Sequence, residues 1–167
     1  SALFLWASMA TPPFVAYGAE AAQESAASPK AVKYYEVLRK RPEPGYLFDR
    51  FYNTWLDDST AAELQNFLVA EAAESKSTSD QLLLAFFFAK QGDDARALEE
   101  FRTALAANPG SAEAWYQKAV IESRTLDFEA AISDLRKSRE LKPEAKLQVQ
   151  IDKLLGRLLV RNRQVDE

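Results

Sequence analysis

Two acidic pairs and one basic triplet are the residues whose types and spacing could do chemistry. Asp57-Asp58 and Asp93-Asp94 stand where loops meet helix patterns. Adjacent carboxylates can hold a hard cation or share a proton, but no calcium-loop spacing follows either pair. Helix capping accounts for them more simply: an aspartate at a helix start accepts from unpaired backbone N–H groups and faces the positive end of the dipole. Lys153, Arg157 and Arg161 recur every four residues, so a helix would line them on one face. Three such cations could hold an acidic chain, or could simply be a solvated face.

Composition closes off most catalytic classes. The 167 residues include no cysteine and no histidine. That removes disulfides, thiolate chemistry, the usual zinc ligand sets and every Ser–His or Cys–His arrangement. The five glycines, at 18, 45, 92, 110 and 156, stand too far apart for a phosphate-cradling loop. No catalytic residue, cofactor or metal is expected, and the chain is read as a non-enzyme. The formal charge of −4 gives no overall case for nucleic acid, which is held through basic surface. The hydrophobic share of 47% is that of an ordinary globular chain with a sizeable core.

The first nineteen residues, SALFLWASMATPPFVAYGA, carry no charge. An apolar core followed by small residues is the pattern of a secretory signal, here without the basic start that should precede it. Residues 1–21 are therefore read as a truncated signal peptide, or as a membrane anchor. Two adjacent prolines, Pro12 and Pro13, count against a plain spanning helix. Export to a periplasmic or extracellular space is the expectation, with any membrane contact confined to this segment. Residues 22–28 are small and polar and read as a linker.

The elements that position the charged residues come from an internal repeat. TSDQLLLAFFFAKQGDDARALEEFRTALAANPGS (78–111) lies without a gap over AEAWYQKAVIESRTLDFEAAISDLRKSRELKPEA (112–145), a shift of 34 residues. Ala85 falls on Ala119, Ala97 on Ala131, Asp93 on Asp127 and Pro109 on Pro143. Each copy reads as two helices. Asp93 and Asp127 suit the caps of the second helices, and Pro109 and Pro143 suit their ends. Thr78 with Gln81 has the spacing of a capping box for the first helix. Alanines at the matched positions let helix axes approach closely, while large apolar neighbours fill the layer between. FFF, at 86–88, is taken as packing.

This pattern resembles the tetratricopeptide repeat, a 34-residue helix–turn–helix unit that stacks into a superhelix. Trp115, Ala119, Phe128, Ala131 and Pro143 occupy the family's aromatic, small and proline positions in one copy. Ala85, Gly92, Ala97, Phe101, Ala104 and Pro109 do so in the other. Glu122 departs at a usually aromatic position, Leu126 at the usual turn glycine and Gln81 at the usual tryptophan. The resemblance implies an all-α, right-handed superhelical solenoid of antiparallel helix pairs. Residues 44–77 fit as a degenerate repeat, with Leu47, Phe67 and Ala70 in register. There Phe51 and Glu63 replace the small residues, and Thr60 with Glu63 has capping-box spacing. Residues 29–43 fit as an N-terminal helix with Pro29 at its first position, and Ala31, Tyr35 and Leu38 resemble the second helix of a preceding, partial repeat.

Residues 146–167 read as a C-terminal helix. Leu155-Gly156 matches the start of another repeat, beginning near Val149 after a link three residues longer than the period. Leu147, Ile151, Leu154, Leu155, Leu158 and Leu159 make a broad apolar stripe. A truncated repeat would leave that stripe without its second helix, and a natural cap helix is the other reading.

Members of the family usually hold proteins or peptides on the concave row formed by the first helices. Carried over by position, that row comprises Phe48, Tyr52, Trp55 and Leu56, then Leu82, Phe86 and Lys90, then Tyr116, Val120 and Arg124, then Lys153, Arg157 and Arg161. It runs from aromatic to basic, which suits a peptide with acidic residues. An anionic lipid or nucleic acid at the same stripe is a different class, disfavoured by the acidic remainder of the chain. The lysine and asparagine of the repeats that clamp chaperone C-termini are absent, with Leu82 and Phe86 in their place, so chaperone binding is not expected. The function implied is a protein–protein interaction scaffold, or the accessory region of a larger exported enzyme or secretion component.

Overall fold

A computed structural model describes residues 28–165, with side chains through residue 162. The expected signal segment, nearly all of the linker and residues 166–167 lie outside the described residues. Eight helices and no strand are found among those described: α1 (Pro29–Lys40), α2 (Tyr46–Leu56), α3 (Ala61–Ser75), α4 (Thr78–Gln91), α5 (Asp94–Ala107), α6 (Ala112–Arg124), α7 (Phe128–Glu140) and α8 (Ala145–Val165). None is long and apolar enough to cross a membrane.

The closest helix pairs are α4–α5 and α6–α7, the two gapless copies. Their matched alanines Ala85, Ala97, Ala119 and Ala131 are all fully buried, so the axes can approach without a side chain between them. Looser contacts of α3 with α4, α5 with α6 and α7 with α8 stack one pair on the next. The repeats are also tied by Trp115, whose Nε1 donates to the Pro109 carbonyl at 2.8 Å. The architecture is an all-α helical solenoid of the kind the periodicity implies.

Caps follow local chemistry. Ser28 caps α1 with Pro29 at its first turn, and Thr60 and Glu63 form a full capping box on α3. Asp93 and Asp127 accept from the N–H groups of Arg96 and Ala130, which gives both aspartates a structural task. The start of α4 differs from expectation. Its cap is Ser77, whose Oγ accepts from Ser79 N at 3.2 Å, while Gln81 bonds Glu100 on α5 instead of closing a box with Thr78.

The turn inside each copy reverses through a left-handed residue. Gly92 has φ +77° and Leu126, at the matching place, has φ +68°. The same bond closes both turns: Asp93 N donates to Phe88 O at 3.0 Å and Asp127 N to Glu122 O at 2.9 Å. A leucine in this conformation is strained, and Leu126 is 64% exposed, so its side chain recovers little. Leu126→Gly is expected to raise stability by about 0.5–1 kcal/mol, the relieved strain outweighing the entropy of a glycine. A urea-melt midpoint that stays or falls would count against that account.

The region 44–77 departs from the two regular copies. Phe51 and Trp55 are buried where close axes would need small residues, and few close backbone approaches join α2 to α3. Trp55 stacks on Phe67 with centroids 4.7 Å apart, and Tyr35 meets the same ring edge-on at 4.9 Å. The buried face of α3 is Leu64, Leu68, Glu71 and Ala72, whereas Ala70 is exposed. It therefore lies one residue out of the 34-residue register expected from Phe67 and Ala70. A one-residue slip is invisible to composition but turns a helix by about 100°.

Helix α8 runs unbroken from Ala145, and Ile151, Leu154, Leu155 and Leu158 are buried against the α6–α7 pair. Leu159 and Val160 remain on the outside, 39% and 62% exposed.

Candidate functional site

The concave row is not one open groove. Seven consecutive residues of α4, from Leu82 to Phe88, are buried, which requires neighbours on every side of the helix. Besides α5 and α3, these neighbours are α1 and α2. Phe48 packs edge-on to Phe86 at 5.9 Å, and Tyr52 lies 6.3 Å from Phe87. Lys90 donates to Asp49 Oδ1 at 2.7 Å and sits 4.9 Å over the Tyr52 ring, while Gln91 donates to the Tyr52 hydroxyl at 2.9 Å. Helix α2 thus closes over the concave side of α4.

The placement of the row follows from this. Trp55 and Leu82 are core residues, 1% and 4% exposed. The Trp55 Nε1 is buried with no hydrogen-bond partner. Phe48 and Tyr52 belong to the covering helix rather than to an open floor. Lys153 is exposed and lies outside both clefts described next.

Two clefts among the described residues lie on either side of α6. One cleft, of about 320 Å³, lies between α6 and α8 and is lined by Tyr116, Val120, Ser123, Leu154, Arg157, Leu158 and Arg161. Leu154 and Leu158 belong to the face that seals α8 onto the repeat, so the cleft has an apolar floor and a basic wall. Arg161 stacks 5.0 Å over the Phe128 ring. Burial pushes the Tyr116 hydroxyl pKa up, with Glu113 adding and Arg157 opposing, so the phenol is a neutral donor at physiological pH. Neither Arg157 nor Arg161 has an ion-pair partner among the described residues.

The second cleft, of about 200 Å³, lies between α4 and α6, with the start of α2 as its third wall. It brings together Phe48, Phe86, Lys90, Val120 and Arg124 from the expected row and adds Pro44, Gly45, Phe101, Gln117 and Ile121. Gly45 turns the chain into α2 with φ +109° and ψ −145°, a conformation open to glycine alone. Arg124 Nε donates to Asp94 Oδ2 at 3.1 Å, so both cations at this mouth, Lys90 and Arg124, already hold a carboxylate. The Pro44-Gly45 dipeptide was the sequence signal for this wall, but nothing local says which helix it turns toward.

Among the described residues no group of three or more His, Cys, Asp or Glu side chains could hold a metal ion. Residues 79–121, from the first turn of α4 to the later part of α6, match the family described as tetratricopeptide repeat. This stretch of the chain is similar to the tetratricopeptide repeat. No curated protein matches the chain. Tetratricopeptide repeats are typically non-catalytic and generally bind proteins or peptides.

Proposed function

We propose that the chain is a non-catalytic scaffold that holds an acidic peptide segment of a protein partner in the α6–α8 cleft. The observation that carries this is the pairing of an apolar floor, Leu154 and Leu158, with two arginines that no carboxylate of the described residues neutralises. Arginines with an aromatic neighbour such as Tyr116 are the side chains that most often anchor interfaces. Their forked donors match carboxylates, and desolvation by the floor strengthens each bond. Export is part of the same reading, supported by the uncharged run at residues 1–19. A mature chain whose mass shows no cleavage near Gly18 or Ala21 after expression in an exporting host would remove it. The alternative, an accessory region of a larger exported enzyme or secretion component, places the same cleft in a different assembly.

The test is an NMR titration with a short glutamate-rich peptide and its glutamine counterpart. The expected result is a shift of the Tyr116, Val120 and Arg157 amides by the glutamate peptide alone. Arg157→Glu with Arg161→Glu should weaken binding about tenfold or more at low salt, since the variant turns attraction into repulsion. Equal binding of both peptides, or an unchanged affinity in the double variant, would remove the basic cleft as the site.

A further inference from the structure

We infer that the outer face of α8 is a docking site for one amphipathic helix of a partner protein, which would stand to α8 as α5 stands to α4. The register carries this. Ile151, Leu155 and Leu158 of α8 take the places of Ala114, Lys118 and Ile121 of α6, and all six are buried. Gly156 then corresponds to Ala119 and Ala85, and Leu159 to Glu122 and Phe88. In α4 and α6 these four residues are 3% exposed or less, each helix being covered by the second helix of its pair. On α8 no helix among the described residues covers the same face. Gly156 is exposed and Leu159 is 39% exposed, with Val160 beside them at 62%. Gly156 adds a separate observation. A Cβ there would meet no atom within 4 Å, so an alanine would fit and would favour the helix. The glycine forgoes that stability at the place where, in the other pairs, alanines let the two axes close up.

The same register states the chemistry of the partner. The face of α8 is apolar like that of α4, with Leu155 and Leu159 where α4 has Leu84 and Phe88, so the occupant resembles α5. It sets an alanine against Gly156, as Ala97 stands in the α4–α5 pair, and large apolar residues one and four places on, as Leu98 and Phe101 do. One place differs. Gln81 of α4 donates to Glu100 of α5, but the residue of α8 at that place is Asp152, an exposed carboxylate. The occupant therefore needs a cation or an amide donor where α5 has Glu100. In a second copy of the chain, the helices that carry such an alanine hold Ala31, Ala97 and Ala131 fully buried, which leaves the occupant to a partner. Asp152, Gly156 and Leu159 lie outside the α6–α8 cleft, so this site stands or falls apart from the peptide reading above.

The experiment is an NMR titration of the full chain with a peptide of α5 and its cap, residues 93–107. A side-chain cross-link on its outer face holds the peptide helical, since a free helix of this length is marginal in water. The probe carries Glu100→Lys, and the parent peptide and an Ala97→Leu form of the probe are the controls. The expected result is saturable binding of the probe with shifts of the Gly156 and Leu159 amides, about fivefold tighter than the parent at low salt. The Ala97→Leu form should not bind. Asp152→Lys in the chain should reverse the preference toward the parent peptide. Gly156→Leu in the chain should abolish binding while raising the melting temperature, because leucine favours a helix interior, and that rise reports a folded variant. Absence of saturable binding by the probe, binding that survives Gly156→Leu, or a preference that Asp152→Lys leaves unchanged overturns the docking site. Self-association of the chain alone that Gly156→Leu removes also overturns it, because a second copy would then be the occupant.

Discussion

Lys118→Met is expected to cost about 3–5 kcal/mol, the penalty for leaving buried charge without its partner. The Lys118 ammonium, on a side chain only 10% exposed, donates to Glu122 one turn along α6 and to Asp134 on α7. Both carboxylates are 4% exposed. Lys137 reaches the other oxygen of Asp134 at 3.1 Å but is half in solvent, and Glu122 Oε2 already lacks a partner. Without the ammonium, Glu122 and Asp134 would face each other inside the repeat with one exposed lysine between them and water. Burial already raises the Glu122 pKa, and the bond from Lys118 opposes it. Removing Lys118 should drive it higher, so the deficit in Lys118→Met should shrink as the pH falls toward the carboxylate range and the group takes up a proton. Urea melts across pH measure both effects. Replacing Lys118, Glu122 and Asp134 together by apolar residues of similar size should recover most of the loss, because the triad's own desolvation is relieved with it. A single-variant loss below about 1 kcal/mol would mean that water reaches the cluster.

Asp80→Ala is expected to cost about 3 kcal/mol and to loosen the covering helices from α4. Asp80 is fully buried and accepts from the Tyr35 hydroxyl at 2.8 Å, Arg39 Nη2 at 2.9 Å and Ser75 Oγ at 2.6 Å. It therefore pins α1 and the end of α3 to the first turn of α4. Arg39 is 38% exposed, so its ion pair contributes little, and the cost falls mainly on the stranded tyrosine and serine. The Tyr35 hydroxyl has one hydrogen but lies near two carboxylates, with Glu71 Oε2 at 3.1 Å. Burial raises the Glu71 pKa, against the bond from Tyr35 and the charge of Arg39. Protonated Glu71 can donate to the phenol oxygen while the phenol donates to Asp80, which satisfies all three groups. The sign follows: stability linked to Glu71 is fully present below its unfolded pKa and is lost as pH rises through its higher folded pKa. Glu71→Gln should accordingly gain on the parent as the pH rises. A constant difference between the two across the glutamate range would show that folding leaves the Glu71 pKa unshifted.

These clusters show why some features were legible in the sequence and others were not. The second-helix caps Asp93 and Asp127, the buried alanines and the helix pairs of residues 78–145 depend on contacts within one 34-residue unit. A repeated unit states those contacts twice, so chance matches fall away. The departures could be seen but not interpreted. Glu122 at an aromatic position belongs to a buried charge cluster whose other members are Lys118 and Asp134, and nothing local links α6 to α7 in that way. Leu126 at a glycine position keeps the turn's left-handed geometry, because the hydrogen bond and the packing of both helices enforce it.

By itself the amino-acid sequence determined the all-α class, the period, most of the caps and the basic face of the last helix, since helical periodicity and capping act over a few residues. Only the tertiary structure decided which of the concave residues meet solvent. Phe48, Trp55, Leu82 and Phe86 have the same apolar character whether they line a groove or fill it. The choice was made by α2, which Gly45 turns back across α4 so that its aromatic rings are buried there. That packing joins residues far apart in the chain, which a local pattern cannot encode, and it leaves the later, basic part of the row, Tyr116, Val120, Arg124, Lys153, Arg157 and Arg161, at the surface.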